Sequence, residues 1–453
     1  MRTKEGKFGT KMIRKIVVRS ILLQLPISHP QSILFSSIIK PTTLKANAVS
    51  TKHTNPHFES SLTSESADIA SKVPSTYHEF ADVFSKIKVT TLLPHCPYNH
   101  QIEIEDSTSL PFSPIYSLSK VEQLALKQFI EENLSSSLIC TSQLLAGVPI
   151  LFIKKKDSTL WLTVDYHSLN CITKKDCYPL PLIPNLLDCL CSTKVFTKID
   201  LCGAYNLVCI TEGDEWKTTF HICFSSYEFL VMHYGLTNAP ASFQQFMNDI
   251  FKDMLDVCVV VYLDDILIYS RNPDNHTHHV QEVLQRLCSN DLFMKLKKCN
   301  FSINTTNFLS FIISPEGLKM DESKIQVIQD WPAPQKIKDV QSFLGFTNFY
   351  CRFIAGYSDL TVPLTRLTCK NTLWYWSPAC DAAFRLLKDT FTSAPILHHF
   401  DPSLPPIVEM DASDSTITRI LSLHTDDGDV HPVAFFSRTL PGAKLNYDTH
   451  DVT

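Results

Sequence analysis

Regular hydrophobic patterning begins at about residue 74 of this 453-residue chain. In SLSKVEQLALKQFIEENL (117–134) apolar residues fall at helical spacing, and Val121, Leu124, Leu126 and Phe129 predict one buried face. The same spacing predicts helices over 241–255 (ASFQQFMNDIFKDML), over 277–289, and over SPACDAAFRLLKDTFTSAP after Trp374. It also predicts one over 337–355, with Val340, Phe343, Leu344 and Phe353 along one side. Short runs rich in β-branched and aromatic residues predict strands at PILFIKK, LWLTVDYHSL, KVFTKID and PPIVEMDASD. Helices and strands intermix without an internal repeat, which predicts an α+β chain. Residues 1–73 start basic (Lys4, Lys7, Lys11, Arg14, Lys15, Arg19) and continue rich in Ser, Thr, Pro and His without periodicity, predicting a weakly ordered leader. A transit-like peptide, an unstructured leader and an in-frame remnant of a longer polyprotein all fit that composition.

The stretch VCVVVYLDDILIYS (257–270) sets Asp264 and Asp265 between two runs that read as buried strands. Hairpin turns favour Asn-Gly or Asp-Gly because their central residues need positive φ, so two adjacent carboxylates are a poor choice for folding alone. A third acid, Asp200, ends the apolar run KVFTKID 64 residues earlier. On spacing alone two readings stand. The acids are ordinary turn residues, or they converge at one sheet edge and bind divalent cations that relieve their mutual repulsion. Mg²⁺ suits carboxylates acting beside substrate phosphates, and two such ions roughly 4 Å apart clamp an in-line phosphoryl displacement. The run His276, Thr277, His278, His279 comes after NPDN at a helix start with no acid or Cys at ligand spacing, and reads as a solvated cap.

Composition narrows the class. A chain of this length that is 44% hydrophobic and 10% aromatic supports real cores and two or three domains. A net charge of −5 argues against a polyanion held by bulk charge, so nucleic-acid binding has to rest on local clusters and motifs. Fifteen Cys without C-x-x-C or knuckle spacing predict reduced thiols in an intracellular protein, in cytoplasm or nucleus, with neither a disulfide framework nor zinc. The apolar runs fall short of the roughly 18 residues of a membrane helix, so no membrane partner is expected. The 11 Gly are about a third of ordinary usage, and ten Arg stand against 15 Cys.

YLDD between two apolar strands, with FTKIDLCGAYN upstream and EFLVMHYGLTNAPASFQQFMNDIF between them, resembles the polymerase of gypsy-class LTR retrotransposons. The resemblance continues through KKKDSTLWLTVDYHSLN, YPLPLIPNLLD, FLSFIISPEGLKMDESKI and VQSFLGFTNFYCRFIAGYSDLTVPLTRL, and covers about residues 74–453. It implies a right-hand polymerase of fingers, palm and thumb followed by a partial RNase H-like α/β domain. The implied division is a leader (1–73), N-terminal extension and fingers (74–190), palm (191–315), thumb (316–372), then connection and truncated RNase H-like domain (373–453). The implied activity is RNA-directed DNA polymerisation on an RNA or DNA template with a primer duplex and dNTPs.

Carried over by position, Asp200, Asp264 and Asp265 match the carboxylates that hold two Mg²⁺ ions, with Mn²⁺ as a possible substitute. Tyr205 matches the aromatic under the incoming sugar that disfavours a 2′-hydroxyl. Lys154, Lys155 and Lys156 resemble basic residues that approach the triphosphate, although a solvated charge run has the same composition. Tyr234, Gly235 and Gln244 fall among the residues implied to line the nucleotide and template site. Phe308, Leu309 and Ser310 lie in the segment resembling the primer grip, which positions the 3′-hydroxyl. Asp411, in IVEMDASDS, matches the first metal-binding Asp of RNase H. The later acids of that site have no counterpart before the final LNYDTHDVT, so RNase H activity is expected to be absent, and the residual strands are expected to leave an open sheet edge.

Departures from the family's pattern share one chemistry. Cys96, Cys140, Trp161, His167, Cys177, Cys202, Cys209, His221 and Cys351 stand where that pattern usually has Arg, and Ser137, Ser158, Ser225, Asp291 and Ser310 where it usually has Gly. Each exchange is one C:G to T:A transition away, which accounts together for the scarce Arg, scarce Gly and surplus Cys. We hypothesise a decayed copy altered by cytosine deamination, so that the competing reading is an impaired relic retaining at most nucleic-acid binding. Trp161 loses a fixed charge, and Ser310 adds a side chain where only Gly moves freely. An underlying gene without excess C-to-T change relative to sibling copies overturns the hypothesis.

Overall fold

The computed structural model describes residues 16–19, 72–84, 95–106, 108, 112–144, 147–154, 159–412, 416–425 and 428–440. Two compact units are present. One comprises Ile69–Trp331 with Pro395–Asp401, and the other Met1–Asp68, Pro332–Ala394 and Pro402–Thr453. The first described element, strand β1 (Ile16–Arg19), belongs to the second unit.

The larger unit runs from a 3-10 segment (Ser75–Phe84) through helix α1 (Lys120–Ser135) to strands β2 (Ile139–Ser142), β3 (Ile150–Lys154) and β4 (Leu160–Val164). Short helices α2 (His167–Ile172) and α3 (Ile183–Asp188) precede β5 (Val195–Asp200), β6 (Phe220–His221), β7 (Ser226–Phe229) and helix α4 (Ala239–Ile250). Then come β8 (Val259–Tyr262), β9 (Asp265–Ser270), α5 (Pro273–Ser289), β10 (Asn300–Ile303), β11 (Thr306–Phe308), β12 (Phe311–Ser314), β13 (Gly317–Met320) and α6 (Glu322–Gln329). The central sheet is antiparallel with order β10-β5-β9-β8. Helix α4 packs on β8, and α5 on β9 and β5. Phe243, Met247, Val280, Val283, Leu284 and Leu287 share one core with Ile199, Val259, Val261, Ile266 and Ile268. Side chains alternate across a strand, so Lys198, Asp200 and Asp265 stand on the face opposite Ile199 and Ile266.

Several expectations change at this level. Helix α1 starts with a reciprocal cap, in which the Glu122 N–H donates to Ser119 Oγ and the Ser119 N–H to the Glu122 carboxylate. Its buried residues are Leu126 and Ile130, whereas Val121 and Leu124 are 67% and 71% exposed. Spacing reports an apolar stripe; it does not report how much of the stripe a neighbour covers. Helix α4 ends at Ile250 rather than 255. Of the histidine run, Thr277 and His278 are exposed as expected of a solvated cap, but His276 is not. Asn272 caps α5 with Pro273 at its start, so His276 falls one turn in and extends the stripe of Val280, Val283, Leu284 and Leu287. His276 is 2% exposed, with its ring nitrogens 2.8 Å from Thr197 Oγ1 and from Ser270 Oγ, and His279 also reaches Ser270.

The smaller unit contains α7 (Ile337–Asn348), a 3-10 turn (Cys351–Phe353), α8 (Tyr357–Leu367) and α9 (Pro378–Thr392), followed by β14 (Pro406–Ala412), β15 (Thr416–His424) and β16 (Val430–Thr439). The helix predicted over 337–355 therefore stops at Asn348; Val340, Phe343 and Phe353 are buried, but Phe353 lies beyond the helix and Leu344 is half-buried. The strands form an antiparallel sheet ordered β1-β14-β15-β16. Strand β1 pairs with β14 from Ile16 opposite Met410 to Arg19 opposite Ile407. Four residues of the leader thus supply a strand that pairs β14, while β16, paired only to β15, remains at the other end of the sheet. The leader's residues 1–15 and 20–71 lie outside the described residues.

Three buried histidines tie the larger unit's stability to pH. His100, His233 and His276 are 2%, 7% and 2% exposed, and burial lowers each from its ordinary range to about 4. Each is neutral in the fold but takes a proton near pH 6.5 when unfolded, so stability is full above about pH 6.5 and falls as pH drops toward 4. Each such group costs about 1.4 kcal/mol per pH unit inside that window. Urea melts at pH 7, 6 and 5 are expected to show this steepening loss, and His233→Phe to flatten it.

Candidate active site

The paired acids sit on a strained two-residue turn. Tyr262 and Asp265 are the last register partners of β8 and β9, which leaves Leu263 and Asp264 to close the hairpin. Leu263 has φ +54, a region that side-chain-bearing residues enter at a cost of roughly 1–3 kcal/mol. A single buried side chain clamps this turn. Gln244, 0% exposed, accepts from the Leu263 N–H at 2.8 Å and donates to the Val261 carbonyl at 3.3 Å and to Asn248 Oδ1 at 2.8 Å. Gln244 was expected to touch substrate, but the structure corrects this: both ends of its amide are spent on the protein, and its burial keeps it from the cleft.

Antiparallel register sets Asp200 directly opposite Asp265. The Leu201 N–H donates to the Asp264 carbonyl at 3.2 Å, and the Lys295 N–H to that of Asp200 at 2.9 Å, so the three acidic residues share one backbone frame. Burial raises the Asp264 carboxyl above its ordinary range, and the charges of Asp265 and Asp200 add to that effect against an opposing backbone N–H and Lys298. Lys298 Nζ lies 2.8 Å from Asp200 Oδ2, and this hydrogen bond raises the ammonium's pKa. Lys198 Nζ lies 3.2 Å from Asp265 Oδ1 and donates to the Asn307 carbonyl at 3.1 Å. Lys198, Asp200, Asp265, Lys298, Asn300 and Asn307 are among the residues lining an open cleft of about 680 Å³.

Carboxylate oxygens are the donor type that hard divalent cations take, so the chemistry of Asp200, Asp264 and Asp265 fits such an ion. As the side chains stand, two of these acids face ammonium groups, and among the described residues no three acidic, His or Cys side chains converge on one point.

The remaining predicted positions divide. Tyr205, 9% exposed, packs its ring 4.6 Å from that of Tyr234 and 5.5 Å from that of Phe243. Burial raises both tyrosine hydroxyls in pKa, and the Asp264 charge adds to it, which places the pair beside that carboxylate. Trp161 on β4 meets Tyr234 edge-on at 6.1 Å. Gly235 has φ +100, and an added Cβ would sit 3.5 Å from the Tyr166 ring, so conformation rather than space requires glycine there. Lys154 is exposed at the end of β3; Lys155, Lys156 and Ser158 lie outside the described residues. Phe308 is 0% exposed, whereas Leu309 and Ser310 in the β11–β12 turn are half-buried and Asn307 is exposed. Asp411 lies exposed on β14 of the smaller unit.

Sequence reasoning missed Lys198 and Lys298. Strand alternation was the available signal for Lys198, two residues before Asp200 and hence on its face. For Lys298, which reaches Asp200 from a 3-10 turn, no local pattern existed.

Backbone angles bear on the glycine departures. Ser137, Asp291 and Ser310 have φ +54, +53 and +69, whereas Ser225 is not in the left-handed region. Leu309 and Ser310 close a two-residue hairpin with both φ positive, the turn that favours Asn-Gly. Ser310→Gly is expected to raise stability by about 1 kcal/mol, read as a higher urea midpoint, while Ser225→Gly is expected to give no gain.

The chain is similar to known proteins in sequence and in fold. Residues 153–313 match the family model "Reverse transcriptase (RNA-dependent DNA polymerase)", and residues 376–453 match "RNase H-like domain found in reverse transcriptase". The Tf2-3 and Tf2-4 transposon polyproteins of Schizosaccharomyces pombe (strain 972 / ATCC 24843) are each 35% identical over 431 residues, 94% of this chain and 31% of theirs. The chain thus spans about a third of the length of these curated relatives. Among solved structures, a foamy viral protease-reverse transcriptase with double-stranded DNA aligns at TM-score 0.74 and 20% identity over 90% of this chain and 72% of that one. Another, with an RNA/DNA hybrid, aligns at TM-score 0.69 and 20% identity over 90% and 55%. These likenesses show the fold, a polymerase right hand with an RNase H-like part.

Proposed function

Because the chain belongs to the reverse transcriptases of gypsy-class retrotransposon polyproteins, we propose that it is an RNA-directed DNA polymerase, extending a primer 3′-hydroxyl with dNTPs on an RNA or DNA template. The observation that carries the reading is the placement of Asp200 opposite Asp265, with Asp264 on the clamped turn beside Tyr205 and Tyr234. Proteins of this family are divalent-metal nucleotidyltransferases. We assign the metal as Mg²⁺, two ions held by Asp200, Asp264 and Asp265, with Mn²⁺ as a substitute. When bound, the ions supply an acidified primer hydroxyl and a neutralised leaving oxygen.

The chain's own residues do the positioning. Tyr205, held between Tyr234 and Phe243, presents a ring that fills the space a 2′-hydroxyl needs. Lys154, with Lys155 and Lys156, offers ammonium charge for the triphosphate. The hairpin turn at Leu309 and Ser310 steadies the primer end. Double-stranded DNA and an RNA/DNA hybrid, the ligands of the similar foamy viral structures, are the duplexes we assign to this chain. We assign an intracellular setting, cytoplasm or nucleus, from fifteen cysteines spaced without a disulfide or zinc-knuckle pattern.

A relic reading is favoured by Trp161 in a position of charge and by the strained Ser310. Primer extension on poly(rA)/oligo(dT) with Mg²⁺ separates the two. We expect synthesis by the parent and none by the Asp264→Asn, Asp265→Asn double variant; a folded parent that makes no product leaves the relic reading.

A further inference from the structure

We propose that Lys198 is a positioning residue that competes with the divalent cation for Asp265 and couples metal loading to the primer-grip hairpin, with Lys298 playing the competing role at Asp200. This inference rests on the metal-site reading above.

The Lys198 side chain is 19% exposed and that of Asp265 29%, so their 3.2 Å contact lies largely out of water, where an ion pair is screened less than at the surface. The same ammonium donates to the Asn307 carbonyl at 3.1 Å, on the strand that leads into the Leu309 and Ser310 turn. Lys298 is placed differently. Its side chain is 53% exposed, on a 3-10 turn, and reaches an Asp200 side chain that is 10% exposed.

Charge governs the competition. Asp200 and Asp265 stand opposite each other with Asp264 on the adjoining turn, so their charges repel, and two ammonium groups bring the local total from −3 to −1. Two divalent cations added with both lysines in place would carry it to +3, so ions and lysines compete for the same oxygens. Lys298 can swing into water. Lys198 is more buried and fastened to Asn307, so a cation drawing Asp265 away breaks one of its two hydrogen bonds and shifts the load onto β11. By linkage, whatever seats the hairpin then alters metal affinity by the same factor that metal alters the hairpin.

The test uses the full chain without nucleotide or primer and Mn²⁺ as probe, with free Mn²⁺ followed by electron paramagnetic resonance. Lys198→Met is expected to bind Mn²⁺ at least tenfold more tightly than the parent, and Lys198→Arg within about twofold of it. Hydrogen exchange across Thr306–Phe311 is expected to change on Mn²⁺ addition in the parent and to be unresponsive in Lys198→Met. Circular-dichroism melts check folding. If Lys198→Met does not fold, Lys298→Met carries the competition claim and Lys198→Arg the hairpin response. Mn²⁺ affinity that is equal or weaker in a folded lysine-to-methionine variant overturns the proposal while leaving the metal-site reading standing. No Mn²⁺ binding by any of these proteins overturns both.

Discussion

Everything at the centre of the larger unit depends on one antiparallel register, that of β5 against β9. It sets Asp200 opposite Asp265 and, through the same alternation, puts Lys198 on their face and Ile199 and Ile266 into the core. A one-residue slip would send the acids into the apolar side and the isoleucines into the cleft. Helices α4 and α5 hold that register by filling the buried face, so the packing that stabilises the sheet also sets the spacing of the carboxylates. The repulsion this creates is met locally, by Lys198, Lys298 and the elevated Asp264 carboxyl.

The turn bearing Asp264 shows how strain is kept at a functional position. A left-handed leucine is unfavourable, yet Gln244 satisfies its N–H from inside the core, and the clamp is a property of α4 rather than of the turn's own sequence. The Leu309–Ser310 turn has both central residues left-handed, where the Asp264 turn has one. That difference fits a chain whose backbone still asks for glycine at Ser137, Asp291 and Ser310.

The strands around Asp264 and the one ending in Asp200 were legible because short β-branched runs between polar residues have few other solutions. Helix stripes were legible as stripes, but Val121 and Leu124 show that periodicity says nothing about cover. His276 was misread by composition alone, although it continues a stripe at helical spacing. Strand β1 was out of reach, since four residues in a polar leader acquire meaning only when β14 offers an edge from the far end of the chain. The lysine partners were hidden for a similar reason: an ion pair across a fold leaves no periodic trace.

On the hypothesis of a decayed copy, the pattern of departures also says where function is exposed. The transition that turns a glycine codon into one for Ser or Asp also turns an aspartate codon into one for Asn, yet Asp200, Asp264 and Asp265 all stand. Acids likewise still face positions where the family pattern has arginine, with Cys140 Sγ 3.4 Å from Glu228 and His167 beside Asp165. What has thinned is permanent positive charge, ten Arg in a chain of net charge −5. Phosphate contacts from arginine hold a polyanionic duplex and nucleotide before any bond is made. In the proposed reading the carboxylates act on the bond itself. On the decayed-copy hypothesis such changes fall on KM, duplex affinity and salt tolerance ahead of the chemical step, and the proposed ligand set outlasts the surface that would feed it.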